Sequence, residues 1–156
     1  MKVKNELKRL AVLEGFNSIF FIVVYFINIK MFDSQFTFVV FYPLLCCSII
    51  LLQGSIYWVI CLKRIDIKNY GVCKTKWVYK IFRLLNFFLI LIYPLLLFFS
   101  EITTIRLLFG GGLYAFSIIE YINYFYIRLS YPTLEFIERV KKINFTKSRI
   151  AKEINT

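Results

Sequence analysis

Four long apolar stretches, at residues 10–29, 36–62, 81–99 and 107–127, constrain this chain more than any other feature. Each is near or above the ~20 residues that cross the hydrocarbon core of a bilayer at about 1.5 Å per residue. A soluble amphipathic helix carries charged or amide groups along one whole face, whereas residues 84–99 contain a single such group, Asn86. The expectation is an all-α, polytopic membrane protein: a four-transmembrane-helix bundle. The first stretch is the most diluted, by Glu14, Asn17, Ser18 and Asn28.

The basic residues supply a topology independently of hydropathy. Of the 20 Lys and Arg, four precede the first stretch, seven lie between the second and third or at their edge, and seven follow the fourth. Only Lys30 and Arg106 remain for the other side. The positive-inside rule then predicts both termini in the cytoplasm of a plasma membrane, and three spans would destroy the asymmetry. The basic start runs into a long apolar stretch without an A-x-A-like site, so it reads as an uncleaved signal anchor.

A net charge of +11 ordinarily raises nucleic-acid binding. Here orientation accounts for it, since the excess is spread over three cytoplasmic flanks, and no nucleic-acid partner is expected. The expected partners are membrane lipids with anionic headgroups at the cytoplasmic face, together with a membrane-protein partner or a second copy of the chain. Trp58, Trp77, Tyr79, Tyr121, Tyr126 and Tyr131 fall toward the same side and read as headgroup-level anchors. The external loops, about 30–35 and 100–106, are too short to form a domain.

Absences bound the chemistry. The chain has no His, which removes the commonest metal ligand and the usual general base near neutral pH. Cys46, Cys47, Cys61 and Cys73 form no C-x-x-C pair, so neither a zinc ribbon nor a thioredoxin-like centre is indicated. Cys46 and Cys47 read as buried filler. Cys73, beside Lys74, reads as incidental. No cofactor and no metal are expected. Gly110-Gly111-Gly112 lacks the Gly-Lys-Ser/Thr of a phosphate loop and reads as a place of close helix approach or an unwound first turn. Asn144-Phe145-Thr146 matches a glycosylation sequon on the cytoplasmic side, where it is discounted.

Glu120 is the residue that demands an explanation. It lies seven residues inward of Ile127, and translocon scales place charged groups at about 2.5 to 3.5 kcal/mol at the helix centre. Ser117, Asn123 and Tyr124 share its helix face, giving a polar stripe that should face the bundle interior. Glu14, Asn17 and Ser18 on the first span, Gln53 and Ser55 on the second, and Asn86 on the third fall at compatible depth, and Arg83 is a candidate counter-ion. The candidate binding cluster is therefore Glu120, Asn123, Tyr124, Ser117, Asn86, Gln53, Asn17 and Glu14, with no catalytic residue assigned. One reading of it is interhelical hydrogen-bond glue; the other is a proton or substrate site near mid-membrane.

Tyr42-Pro43-Leu44-Leu45 and Tyr93-Pro94-Leu95-Leu96 match near the external ends of the second and third spans, and both Pro are expected to kink their helices. Their flanks do not match, so no internal repeat is read. Tyr131-Pro132-Thr133 breaks the chain after the fourth span. Beyond it, Phe136, Val140, Ile143, Lys147, Ile150 and Ile154 form one helical stripe, with Glu135–Arg139 and Glu138–Lys142 as i,i+4 pairs. The expected division is a four-span domain, 1–130, and a basic amphipathic cytoplasmic tail, 131–156, which lies on the leaflet, docks on the bundle or pairs with a partner helix.

No motif names an activity. The Lys, Ile, Asn and Phe-rich composition suits an AT-rich bacterial genome. The expected function is non-enzymatic, that of a small accessory, regulatory or immunity-type membrane protein acting by helix contacts. The alternative is a small oligomeric proton-coupled transporter using Glu120, and a lone carboxylate is a poor enzyme constellation.

Overall fold

The computed structural model describes residues 2–32, 38–67, 70–100, 103–129 and 145–155. Among them the chain forms five helices: α1 (Lys2–Phe32), α2 (Phe38–Asp66), α3 (Val72–Phe98), α4 (Thr104–Phe125) and α5 (Arg149–Asn155). The first four are long and apolar enough to cross a membrane, as the hydropathy predicts. α1 and α3 begin eight and nine residues before their apolar stretches, because backbone hydrogen bonding continues into the polar flanks, and the other boundaries agree to within four residues. α1 is continuous from Lys2, so the diluted first span lies within one unbroken helix.

α2 is the central element, packed on α1, α3 and α4, and it contributes the largest share of the interior. The register follows from side-chain contacts. α1 runs antiparallel to α2: Lys4 meets Asp66, Ala11 meets Ser55, Ser18 meets Ser48, and the Tyr25 ring lies 4.7 Å from that of Phe41. α3 is also antiparallel to α2, through Gln53–Asn86 and Val39–Tyr93. α4 runs parallel to α2, with Ser117 on Pro43 and Tyr124 over Gly54. The start of α1, the end of α2, the start of α3 and the end of α4 therefore share one end of the bundle. That end holds Lys4, Lys63, Arg64, Lys74 and Lys76.

The other end is organised by two prolines. Pro43 has no N–H, so the Val39 carbonyl four residues earlier loses its helical donor. The Tyr93 hydroxyl of α3 donates to that oxygen at 3.0 Å. In return the Tyr42 hydroxyl of α2 donates to the Leu89 carbonyl at 2.8 Å, next to Ile90, whose carbonyl Pro94 deprives of its donor. The two tyrosine rings stack 6.4 Å apart with planes 10° from parallel. The matched Tyr-Pro strings thus face each other across the α2–α3 contact, a relation their unmatched flanks conceal.

Of the three consecutive glycines, Gly110 alone takes part in a close approach. A Cβ there would strike the Val39 carbonyl and lie 2.6 Å from the Tyr93 hydroxyl, whereas Gly111 and Gly112 have nothing within 4 Å. The helix is regular through all three, so the unwound turn is not formed.

The C-terminal segment returns to the charged end. Arg128 N–H donates to the Thr146 carbonyl at 2.9 Å and Ser148 N–H to the Tyr126 carbonyl at 3.1 Å, an antiparallel bridge centred on Ile127 and Lys147. Ser148 then caps α5: its Oγ accepts from Ala151 N–H at 3.0 Å and donates to the Tyr124 carbonyl, one of those left unpaired at the end of α4. A short C-terminal helix is therefore present, but residues 145–148 lie outside it. The predicted stripe is interrupted because Ser148 and the bridge give this backbone other partners. Phe136, Val140, Ile143, Tyr131 and the two i,i+4 pairs lie outside the described residues. Ile150 and Ile154 are buried in a core with Leu7, Tyr57, Tyr79, Tyr121, Tyr124 and Phe125.

Candidate functional site

The polar side chains proposed from the sequence fall into three groups rather than one cluster. The first joins α1, α2 and α4. Trp58 Nε1–H donates to Glu14 Oε1 at 2.8 Å. The other oxygen, Oε2, is enclosed and has no donor at hydrogen-bonding geometry among the described residues. Oε2 and the ring of Tyr124 converge over Gly54, where an added Cβ would lie 2.6 Å from Tyr124 Cζ. Glycine in α2 therefore opens the window through which a residue of α1 meets one of α4. Glu120 is within electrostatic reach of Glu14, and Asn123 Nδ2 donates to Glu120 Oε2 at 3.2 Å.

Glu120 sits closer to the helix end than the sequence suggests, because α4 stops at Phe125. Its neighbour Asn123 also accepts from the Leu129 N–H at 2.9 Å, tying the carboxylate to the chain's exit from α4. Arg83 is not the counter-ion: it lies beside Tyr121, whose hydroxyl donates to the Arg83 carbonyl at 3.0 Å. Among the described residues Glu120 forms no ion pair.

The second group is a reciprocal amide pair between α2 and α3. Asn86 Nδ2 donates to Gln53 Oε1 at 2.6 Å and Gln53 Nε2 returns to Asn86 Oδ1 at 3.3 Å. Tyr79 adds a bond to the Gln53 carbonyl at 2.6 Å, and all three residues are buried. The third group is hydroxyls on backbone. Ser117 Oγ, fully buried, is shared between the carbonyls of Pro43 at 3.1 Å and Leu113 at 2.9 Å. Ser18 and Ser55 make the corresponding α1–α2 bonds, to Ser48 O at 2.8 Å and Ala11 O at 2.7 Å.

Asn17 joins none of these; it is exposed on the outer face of α1, one helical position away from Ser18, which faces inward. Three anchors predicted at headgroup level are also interior groups, Tyr121 among them as part of the core described above. Tyr79 is 2% exposed and holds the Gln53 carbonyl, and Trp58 is committed to Glu14. Trp77, at 67% exposure, has the environment an anchor requires. Cys46, Cys47 and Cys61 are buried and Cys73 is exposed, and among the described residues there is no His/Cys/Asp/Glu group able to hold a metal ion.

Sequence reasoning missed Gly54 and the second role of Trp58. The available signal was the i,i+4 spacing of Gly54 and Trp58 on α2, which places a gap one turn from an indole donor.

At the charged end, Arg64 Nη1 and Nη2 bind both oxygens of Glu153 at 2.9 and 2.8 Å, with side chains 18% and 16% exposed. The Tyr57 hydroxyl donates to Glu153 Oε2 at 2.9 Å and Arg64 Nε to the Tyr70 carbonyl at 2.9 Å. This fork fixes α5 on α2. Comparison with protein-family models, curated proteins and solved structures finds no match.

Proposed function

We propose that this multi-pass membrane protein is a non-enzymatic accessory, regulatory or immunity-type protein of a bacterial plasma membrane, acting through its outer helix faces with both termini in the cytoplasm. The observation that supports this reading is how the interior polar groups are used. Gln53, Asn86, Tyr79, Tyr93, Tyr42, Ser117, Ser18 and Ser55 all hold one helix to another. In a bilayer such bonds contribute on the order of 1 kcal/mol each and specify which faces meet. The faces left outward are apolar and aromatic: Phe16 and Phe20 stack at 5.9 Å on the outside of α1, and Leu84, Phe88, Leu91 and Leu95 project from α3. These are surfaces for lipid and for partner helices. The 18-to-2 charge split supports the orientation.

A second reading rests on Glu14, whose enclosed Oε2 without a donor and proximity to Glu120 suit a proton-binding acid pair. Flux separates the two. Purified protein is reconstituted into vesicles loaded with a pH-sensitive dye, and a potassium diffusion potential is imposed. The helix-contact reading expects proton entry no faster than in empty vesicles. Entry that rises with protein density and disappears in Glu14→Gln would replace it with proton-coupled transport.

A further inference from the structure

A cavity of about 440 Å³ opens at the charged end, between the start of α1, the end of α2 and α5. Its size lies within the roughly 300 to 1,000 Å³ of small-molecule sites. Arg64, Arg149 and Lys152 line it against one carboxylate, Glu153, leaving an excess of two positive charges. Glu153 is engaged on both oxygens by Arg64 and by Tyr57, and Arg149 and Lys152 add two further cations to the lining. Arg149 and Lys152 are three residues apart on α5 and share its exposed face. The opposite wall is apolar, with Val3 and Ile65 exposed at the rim and Leu7 buried behind them.

We infer that this cavity is a binding site for the phosphate-bearing headgroup of an anionic membrane lipid. The charge arrangement recognises a phosphate anion, and the apolar rim gives acyl chains a path from the cavity onto the outer surface of α1 and α2. The depth fits a headgroup, because the cavity lies where apolar helix gives way to Lys4, Arg64 and Asp66. Basic pockets between transmembrane helices take such headgroups, and each nearby cation adds to the attraction. The site requires only that this end of the bundle sits at a headgroup layer, under either reading of function.

The test uses the full chain in mild detergent, with bound lipid counted by native mass spectrometry after titration with phosphatidylglycerol or phosphatidylcholine. Wild type is expected to retain phosphatidylglycerol selectively. Arg149→Glu/Lys152→Glu should weaken that retention by about tenfold or more, and Arg149→Gln/Lys152→Gln should do so to a smaller degree. A control of equal charge change, Lys74→Glu/Lys80→Glu, places the substitutions on exposed residues of α3 outside the cavity and should retain the lipid. Melting temperatures verify that α5 remains docked through Ile150, Ile154 and Glu153. Equal loss in the control would reduce the effect to general surface attraction and overturn the site. Inorganic phosphate that displaces the lipid at equal concentration would overturn the lipid assignment in favour of a soluble phosphate, and no difference between the two lipids would overturn both.

Discussion

The Tyr93 hydroxyl donates to the Val39 carbonyl at 3.0 Å, and that carbonyl is the one Pro43 leaves without its helical donor. α3 therefore repairs a defect that proline introduces in α2, at a position where water is scarce. Tyr93→Phe should preserve the ring contacts with Tyr42 and Tyr114 while orphaning a buried carbonyl. The expected cost is about 1 to 3 kcal/mol, read as a lower melting temperature in detergent. A melting curve equal to wild type would show that the carbonyl finds another donor.

The three glycines should respond unequally. Gly110→Ala places a methyl group against the Val39 backbone, which cannot retreat without separating α4 from α2, and against the Tyr93 hydroxyl, which cannot retreat without leaving the Val39 carbonyl. Gly111→Ala and Gly112→Ala meet open space and gain helix propensity, up to about 1 kcal/mol each. Melting of the three single variants should therefore split by sign, Gly110→Ala below wild type and the other two at or above it.

Why some of this was legible in the sequence and some was not follows from the range of the interactions. Helix existence and number are local properties of hydropathy, and the inward stripe of Ser117, Glu120 and Tyr124 follows from helical period alone. Partner choice is not local. The spacing of Glu14 says nothing about Trp58, because their contact depends on the α1–α2 register. The approach of Tyr124 depends on a side chain missing from Gly54. Asn17 lies outside while Ser18 lies inside because one helical step is 100°, enough to turn a residue from the interior to the surface. At the C-terminus the apolar period was real, yet Ser148 overrode it by capping α5 and binding the end of α4.

The fork between Arg64 and Glu153 should hold α5 in place. Both side chains are more than four-fifths buried, so Glu153→Ala leaves a guanidinium poorly solvated as well as unpaired. A destabilisation of about 2 kcal/mol is expected, from charge-assisted hydrogen bonds of roughly 1.5 to 3 kcal/mol. Arg64→Met/Glu153→Met should recover most of the loss, since no charge then remains uncompensated. Losses in Arg64→Met and Glu153→Met that add up to that of the double variant would show that the two side chains act independently.

Orientation can be read with a native probe. Cys73 is exposed at the charged end, whereas Cys46, Cys47 and Cys61 are buried. An impermeant thiol reagent should label wild type only after permeabilisation. Thr103→Cys in a Cys73→Ser background places the probe at the opposite end and should label in intact cells. The reverse pattern would place the basic end outside and contradict the charge rule.

The last prediction concerns the acid pair. In Glu14→Gln the amide oxygen keeps the Trp58 bond, and the amide N–H₂ takes the place of Oε2 and can donate to the Tyr124 hydroxyl. The variant should melt at or above the wild-type temperature. Glu14→Ala removes the acceptor of the Trp58 indole and should cost about 1 to 3 kcal/mol. Glu120→Gln keeps an oxygen for Asn123 Nδ2 and should be close to neutral. If the two carboxyl groups act only as packing and hydrogen-bonding groups, both Gln variants retain the cellular phenotype of wild type. An amide cannot take up and release a proton, so a Glu14→Gln protein that folds normally and has lost its phenotype would transfer the site from bundle assembly to proton handling.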